Sequence, residues 1–381
     1  MLSILIFIII LSILVMIHEF GHYIMAKRAG IGVEEFGFGL PPRLWGKKIK
    51  GTIYSINWLP FGGFVRLVGE DPTDKNANGT NSFGQKPILT RATVIVAGVF
   101  MNLMLAAVIY YYFVISSGFS LPFEKLPFDY TFKGVSQISR VVVAGVSADS
   151  PAFKAGIKGE EAILSVDGID VKNINDLQTI VRRSENRRIA VVLENIKEHK
   201  TRTVEVVPEM NKEVNAPAIG VSLAEMTFLN FNTLTQKVFS GFIFSYNMII
   251  FSFGALGKLI GSAITSGNVQ PVANAVSGPI GIAHLTMKLI SFNDPMPVVI
   301  ASILNLMAMF SLNLAVLNIL PIPALDGGRF AFLIYEAISR KKPNASVEKW
   351  IHTIGFVSLI SLIVLISYND ILKIIHNQLP F

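Results

Sequence analysis

The sequence predicts a polytopic α-helical membrane protein of about four transmembrane helices, with one small β-rich soluble domain inserted between them. Only 15% of its 381 residues are charged, against roughly 25% in ordinary globular proteins, and its mean hydropathy is +0.54. The apolar residues are concentrated in long uncharged runs, whereas residues 134–209 have the mixed composition of a soluble domain. A chain with this distribution is expected to cross a membrane several times.

The charges and the lack of cysteine exclude several classes of function. Lys and Arg total 33 against 26 Asp and Glu, which gives a formal net charge of +7. In a membrane chain such an excess usually belongs to cytoplasmic loops, so we predict no nucleic-acid partner. The chain has no Cys, which excludes disulfide frameworks, thiol catalysis, iron–sulfur clusters and Cys-ligated zinc. A bound metal must therefore be held by His, Asp or Glu.

Four uncharged runs are long enough to cross a bilayer. The first run, extended through HEFGHYIMA to Ala26, gives about 39 Å of helix at about 1.5 Å per residue. A cleaved signal peptide is the alternative, but the run lacks a basic n-region and an A-x-A-like cleavage site. We predict transmembrane helices at 1–26, 92–116, 296–328 and 350–370.

The orientation of the spans depends on where the basic loops lie. Residues 27–91 contain ten Lys and Arg and residues 329–349 contain five, and basic loops stay in the cytoplasm. Both loops fall on that side only with four spans, which makes the inserted domain extracytoplasmic. The uncharged stretch 238–257, diluted by Gly, Ser and Asn, is compatible with a fifth span or a surface helix. The loop charges favour an interfacial amphipathic helix over 230–265.

The strongest chemical signal is an H-E-x-x-H motif formed by His18, Glu19 and His22. On a helix, positions i and i+4 lie about 40° apart, so both imidazoles can bind one zinc while Glu19 flanks an activated water. Chance occurrence is the alternative, but three ionisable residues inside an apolar helix are costly unless they serve a function. The motif therefore predicts a zinc-dependent hydrolase.

A zinc hydrolase needs a third protein ligand. The continuation H-E-x-x-H-x-x-G-x-x-H fails because Met25 occupies its Gly position. Three downstream acids do not lie on a convincing helix: Glu34, Glu35 and Glu70. Asp326 is the better candidate, because it is the only charge at the end of a 31-residue uncharged run. It can reach the histidines only if its own span runs inwards, which again requires an even number of preceding spans.

The residues before Asp326 indicate how its helix ends. Pro321 and Pro323 are expected to break the helix, and the backbone groups left unpaired are tolerated where they line a wet cavity or are buried in protein. The alternative is a plain Pro/Gly turn that ends a helix.

Residues 134–209 are predicted to form a folded domain, because VVVAGV and IAVVLENI alternate as strands do and INDLQTIVRRS has helical spacing. The stretch SPAFKAGIKGEEAILSVDGIDVKNINDLQTIV resembles a PDZ domain of the bacterial protease-associated kind, which takes up extended peptide at a strand edge. This chain has Gly159, Glu160 and Glu161 where a Gly-Asp pair is usual. Peptide contact at the domain and steric gating of access are therefore two alternatives.

Several ordered motifs carry a resemblance over nearly the whole chain. They are HEFGH, Gly37-Phe38-Gly39, Pro60-Phe61-Gly62-Gly63, Asn102 in the second span, the PDZ-like insert, Ser277-Gly278-Pro279-Ile280-Gly281 and NILPIPALDGG. Together they resemble the site-2 protease family, with the order and spacing of its RseP branch. This chain has room for one PDZ domain, where some members carry two.

The resemblance implies a role for each site residue. His18, His22 and Asp326 would ligate one Zn²⁺ per chain, and Glu19 would be the general base. Asn318 would help to position the substrate strand or the oxyanion. The other residues assigned to substrate positioning are Pro321, Pro323, Asn102, Gly62 and Gly63. For Asn102 the alternative is a hydrogen bond to a neighbouring helix.

The resemblance also implies a re-entrant β-hairpin within residues 27–91, before the second span. Residues 33–38, 52–58 and 64–68 support it, because they resemble short strands punctuated by Gly and Pro. The alternative is an ordinary amphipathic cytoplasmic loop.

Together with the H-E-x-x-H motif, the resemblance implies an intramembrane zinc endopeptidase of the bacterial inner membrane. Its partners would be the lipid bilayer and single-span membrane proteins, such as anti-sigma factors or remnant signal peptides, cut in regulated intramembrane proteolysis. One alternative is a metal transporter or sensor. A transporter would need further ionisable residues along the spans, and His352 is the only other obvious one. The other is an inactive PDZ scaffold, which would have no reason to keep Glu19.

Overall fold

The computed structural model describes residues 2–70, 79–124, 130–196, 198, 200–211, 215–268, 270, 272, 276–289 and 295–376. The chain forms two compact units. One combines Met1–Tyr110 with Phe244–Phe381 and is called the helical unit; the other, Tyr111–Ile243, is called the inserted unit.

The helices are numbered α1 to α10 in chain order. They are α1 Leu2–Arg28, α2 Ile88–Ser116, α3 Pro151–Lys154, α4 Ile174–Arg182, α5 Leu234–Val238, α6 Ser240–Ser266, α7 Pro279–Leu289, α8 Met296–Ile319, α9 Asp326–Ser339 and α10 Ala345–Ile375. Helices α2 and α10 are longer than the predicted spans 92–116 and 350–370. At the start of α10 the Asn344 side chain accepts from the backbone N–H groups of Ser346 and Val347, which satisfies donors that a helix start leaves free.

Five helices of the described chain are long and apolar enough to cross a membrane: α1, α2, α6, α8 and α10. The loop charges predict four spans, and the additional helix is α6, which covers most of the stretch 230–265 assigned to the interfacial helix; the start of that stretch forms the separate short helix α5. Length and apolar composition do not distinguish α6 from the other four, because its Gly and Ser residues lower the mean hydropathy only to 1.6.

The predicted third span, 296–328, contains two helices rather than one. Helix α8 ends at Ile319 and α9 begins at Asp326, with Pro321 and Pro323 in the connection. Proline has no backbone N–H and clashes with the preceding helical turn, so the break falls where these residues lie. Asp326 is consequently the first residue of a new helix.

The β region of the helical unit consists of β1 (Val33–Ile49) and β2 (Thr52–Leu67). Phe36 pairs with both Tyr54 and Val65, and residues 35–38 have partners on both flanks, in 53–56 and in 63–66. Two long bulged strands therefore replace the three short ones that the sequence predicts. Because bulges redirect a strand without ending it, the Gly and Pro residues remain inside β1 and β2.

The β region packs on the middle of α1. The hydroxyl of Ser12 donates to the Pro60 carbonyl at 3.1 Å, and a Cβ added to Gly63 would lie 2.4 Å from the Met16 sulfur. Large apolar side chains on the β region stay exposed, among them Leu44, Trp45, Trp58 and Phe61. Exposed apolar groups of this size indicate an apolar partner for this part of the β region.

The inserted unit is built on a seven-stranded sheet. Its strands are β3 Ser120–Glu124, β4 Ser136–Val146, β5 Glu161–Val166, β6 Ile169–Asp170, β7 Ile189–Asn195, β8 Thr201–Val206 and β11 Val221–Asn230, with β9 Glu209–Asn211 and β10 Ala216–Ala218 as a separate pair. The order is β3-β11-β4-β5-β7-β8, and β6 pairs with β5. The sheet thus uses residues on both sides of the predicted domain 134–209, because β11 lies between β3 and β4.

The unusual acidic pair of the PDZ-like stretch has a structural use. Glu161 is buried, and both its carboxylate oxygens accept from the Arg202 guanidinium at 2.9 Å. Its Oε2 also accepts from the backbone N–H of Lys158 at 2.9 Å. Although burial raises the pKa of Glu161, the bonds from Arg202 and Lys158 lower it, and the net shift is downwards. Glu161 therefore links β5 to Arg202 on β8 and to the backbone at Lys158, just before β5.

Candidate metal centre

Three potential ligand atoms meet between α1 and the start of α9. Nε2 of His18 lies 2.9 Å from Oδ2 of Asp326, and Nε2 of His22 lies 3.1 Å from the same oxygen. The two Nε2 atoms lie 3.1 Å apart. Among the described residues, these three form the only group of His, Asp or Glu that could hold a metal.

This donor set fits zinc. Two ligand atoms at about 2.0–2.1 Å from a tetrahedral zinc lie about 3.3 Å apart, so the observed triangle needs only a small expansion. The imidazoles are nearly perpendicular, at 82°, with ring centroids 4.7 Å apart, which turns both Nε2 atoms to one point. Two imidazoles and a carboxylate are a common zinc-hydrolase ligand set and leave one position open.

Helix α2 orients His22. Nδ1 of His22 lies 2.8 Å from the carbonyl oxygen of Val94, and a bond to this acceptor requires the proton to be on Nδ1. Nε2 is then free of a proton and available as a ligand. Nδ1 of His18 is buried and has no hydrogen-bond partner within the described ranges.

The two histidines fit because α2 has no side chain where it meets them. A Cβ added to Gly98 would lie 2.4 Å from Nε2 of His22 and 2.8 Å from Cε1 of His18. On α1, next to His22, a Cβ on Gly21 would lie 2.4 Å from the Ala97 carbonyl oxygen. Glycine at both positions lets α1 and α2 approach closely around the histidines.

The turn before α9 carries Asp326 to the histidines. A Cβ on Gly327 would lie 2.0 Å from the Leu320 carbonyl oxygen, and one on Gly328 would lie 2.5 Å from that of Ile322. The two glycines therefore allow the first turn of α9 to fold back on the connection. This fold brings Asp326 next to His18, which is 308 positions away in the chain.

Glu19 faces the β region. Its Oε2 accepts from the backbone N–H of Val65 on β2 at 3.0 Å. Since His18, Glu19 and His22 share one turn of α1, this bond places a half-buried carboxylate beside the three ligand atoms. Glu19 supplies the carboxylate of the H-E-x-x-H motif and is not one of the three potential ligands. It is suited to accept a proton from water.

The other acids considered as third ligands have different partners. Glu35 is buried and accepts from Arg43 at 3.0 Å and from Ser55 at 2.6 Å. Glu70 forms an ion pair with Arg329 on α9. Neither lies in the ligand group.

The residues assigned to substrate positioning are dispersed. Asn318 is half-buried in the last turn of α8, Pro321 is exposed in the connection, and Pro323 is half-buried and packs on Gly355 of α10. Asn102 is fully buried one turn beyond Gly98, and both atoms of its amide lack a partner within the described chain.

The two glycines assigned to substrate positioning contact α1. Gly62, with φ +68°, has a backbone N–H 3.4 Å from the Ser12 hydroxyl. Gly63 lies against Met16. Both belong to the segment of β2 that runs along α1.

Sequence reasoning missed four contacts of this centre. They involve Gly98, the Val94 carbonyl, the Val65 N–H and His352, whose Nδ1 accepts from the Ala324 N–H at 2.9 Å. Gly98 and His352 could have been singled out from the sequence, because a glycine inside an apolar helix and an ionisable group inside a span usually have a packing or functional reason. Backbone groups leave no such signal.

Known proteins match the chain over nearly its whole length. The model of peptidase family M50 matches residues 6–362. A candidate zinc metalloprotease of Clostridium perfringens is 31% identical, with 95% of this chain and 96% of that protein covered. Zinc metalloprotease RasP of Shouchella clausii is 28% identical, with 98% and 99% covered. Regulator of sigma-W protease RasP of Bacillus subtilis is 26% identical, with 97% and 98% covered.

One solved structure is similar to part of the chain. It is the PDZ domain of an SdrC-like protein from Listeria monocytogenes, 19% identical, which matches 25% of this chain and 93% of that domain with a TM-score of 0.20.

The two histidines of the H-E-x-x-H motif meet the carboxylate of Asp326, in a protein with several apolar helices and a β-rich region. This combination defines a membrane metalloprotease. Relatives that match nearly the whole chain carry zinc metalloprotease names. The chain belongs to peptidase family M50, the site-2 proteases.

Proposed function

We propose that the protein is a zinc-dependent endopeptidase that cuts single-span membrane proteins within the bilayer of the bacterial inner membrane. The observation that carries this proposal is the meeting of His18, His22 and Asp326 within 3.1 Å of one another, with Glu19 on the same turn of α1. We assign one Zn²⁺ per chain to the three ligand atoms.

The residues of the centre divide the chemistry among them. Zinc, when bound, supplies Lewis-acid activation of water and of the scissile carbonyl. Glu19 takes a proton from the water and returns it to the leaving amine, which is the role of a general base and then a general acid. The Val65 N–H holds the Glu19 carboxylate in position until a proton is transferred.

The β region is proposed to hold the substrate in an extended form. Helical substrates must unwind, because their amides are otherwise hydrogen-bonded and packed away from attack. Residues 63–66 pair with 35–38 on one side, and Val65 contacts Glu19. A substrate segment added along 63–66 would thus run past the catalytic acid. Gly62 and Gly63 allow this segment to lie close to α1, and Asn318 with the two prolines would line the other side.

An apolar cavity supports a membrane substrate. It measures about 840 Å³ and is lined by α1, α6, α7, α8 and α10. Leu317, near the end of α8, and Leu320, the first residue of the turn that carries Asp326, both line it. Its chemistry suits an apolar segment, and it is polar only at a few side chains, including Asn313 and His284.

We propose four transmembrane helices, with α6 as the interfacial helix and the inserted unit as an extracytoplasmic PDZ-like domain. The loop charges and the meeting of Asp326 with the histidines support this topology. We assign to the inserted unit the gating of access, with peptide contact as a second role, because Glu161 is engaged by Arg202 rather than directed at a ligand.

The substrate class is proposed from chemistry and from one relative. The Bacillus subtilis relative is named as a regulator of sigma-W, which supports an anti-sigma factor as the substrate here; remnant signal peptides have the same single-span form. A metal transporter is disfavoured because α8 and the first half of α1 carry no further ionisable groups. An inactive scaffold is disfavoured because Glu19 lies beside the ligands.

Comparative membrane proteomics tests the proposal. Cells with the wild-type enzyme and cells with Glu19→Gln are compared for single-span fragments. We expect such fragments to accumulate only in the mutant, because only the proton acceptor is lost. Identical fragment profiles in the two strains would contradict the proposed activity.

A further inference from the structure

The turn that carries Asp326 is short and has one strained residue. It runs from residue 320 to 325, between the end of α8 and the start of α9. Ala324 has φ +78°, in a region that residues other than glycine rarely adopt. Such a conformation persists only where its surroundings hold it, so the contacts of Ala324 decide where the next residues lie.

Helix α10 holds this turn at two points. The backbone N–H of Ala324 donates to Nδ1 of His352 at 2.9 Å. Gly355, three residues further along α10, packs directly on Pro323, and a Cβ there would lie 2.3 Å from the Pro323 Cβ. Positions i and i+3 lie on the same face of a helix, so one face of α10 meets two consecutive residues of the turn.

The imidazole of His352 is itself held in place. The ring of Phe332, on α9, lies 5.5 Å from it at 46°. Because Nδ1 accepts a hydrogen bond, the ring must be in the tautomer that carries its proton on Nε2. The contact joins α10 to the turn and to α9, the helix that begins with Asp326.

We infer that His352 is a positioning residue for the metal centre. By accepting the Ala324 N–H it fixes the backbone two residues before Asp326, and thereby the reach of the Asp326 carboxylate towards His18 and His22. The inference rests on the proposed role of Asp326 as a zinc ligand. Groups that orient a ligand typically change metal affinity 10- to 100-fold when they are removed.

Two variants separate the acceptor from the ring. His352→Phe keeps an aromatic ring against Phe332 but has no acceptor for the Ala324 N–H. His352→Asn loses the ring but places its side-chain oxygen near the position of Nδ1. Thr353→Val is the matched control, because among the described residues the only hydrogen-bond partner of the Thr353 hydroxyl is the Lys349 carbonyl of its own helix.

The test uses the full-length protein purified in detergent, with zinc affinity from chelator competition, the visible spectrum of the Co²⁺ form and the kinetics of a single-span substrate. We expect His352→Phe to weaken zinc binding about 10- to 100-fold, to alter the Co²⁺ spectrum and to lower kcat more than KM changes. His352→Asn is expected to retain most of the affinity and the wild-type spectrum, and Thr353→Val to match wild type.

Two results would overturn the inference. Wild-type affinity and spectrum in His352→Phe would show that the acceptor does not matter, and a loss in His352→Asn equal to that in His352→Phe would assign the effect to the ring. If His352→Phe does not fold, the comparison of His352→Asn with His352→Leu decides the same point. Wild-type protein that binds no zinc would contradict the proposed function itself.

Discussion

Gly98 on α2 lies so close to His22 on α1 that a Cβ at position 98 would be 2.4 Å from Nε2 of the histidine. The atom it would meet is the one that we assign to the metal. The shape of α2 at this point is therefore part of the metal centre, although Gly98 has no side chain to contribute.

Gly98→Ala is expected to disturb the centre. The added methyl group forces the imidazoles or the helices apart, and overpacking of this kind typically costs about 1–3 kcal/mol. We expect a lower Tm and less zinc per purified chain. Gly257→Ala on α6 is the control, because a Cβ there meets nothing within 4 Å. Equal zinc content and Tm in the two variants would contradict the assignment.

Glu19→Gln and Asp326→Ala should separate base from ligand. Glu19→Gln keeps the shape of the side chain, so zinc should stay bound while turnover falls by about 10²- to 10⁴-fold, as is typical when a general base is lost. Asp326→Ala should lower zinc occupancy, because two imidazoles alone make a poorer site. Zinc per chain and cleavage of a model substrate are measured together. Loss of metal in the first variant and full retention in the second would reverse the two roles.

The topology is testable by cysteine labelling, since the chain has no native Cys. Cysteine at Asn175, exposed on α4, should react with an impermeant reagent in intact cells, and cysteine at Lys341 only after permeabilisation. We choose Lys341 rather than Asn344 in the same loop, because the Asn344 side chain caps α10. Cysteine at Ser266, at the end of α6, should react from outside if α6 is interfacial. Protection at Ser266 would instead make α6 a fifth span.

The stability of the inserted unit should depend on Glu161 only above acidic pH. Because the pKa of Glu161 is lowered in the folded protein, its ion pair with Arg202 stabilises the domain above the unfolded pKa of about 4.3, and the stabilisation is lost as the pH falls further. Hydrogen exchange of β5 and β8 in the full-length protein measures this. Glu161→Gln should exchange faster than wild type at pH 7, and the difference should shrink below about pH 4.

An exposed ion pair provides the control for that experiment. Arg188, immediately before β7, pairs with Glu205 on β8, and both side chains are largely exposed. Exposed pairs typically contribute only about 0–1 kcal/mol. Glu205→Gln should therefore leave exchange close to wild type. A pH-independent difference for Glu161→Gln would show that packing, not charge, accounts for its effect.

The sequence by itself determined the features that depend on local spacing and on the cost of charge in an apolar run. Helical periodicity was sufficient to put His18, Glu19 and His22 on one turn. The solitary charge after 31 uncharged residues was sufficient to select Asp326, and two prolines were sufficient to indicate the break before it. The structure brings His18, His22 and Asp326 together.

Only the tertiary structure decided which distant groups meet. The double pairing of residues 35–38, the contact of Gly98 with the imidazoles, the bond from Val65 to Glu19 and the bond from Ala324 to His352 all join segments far apart in the chain. Periodicity indicates which face of a helix or strand is apolar, but not its register against another element. All four contacts depend on backbone atoms or on a missing side chain, which are the same for many sequences, so packing alone determines where they fall.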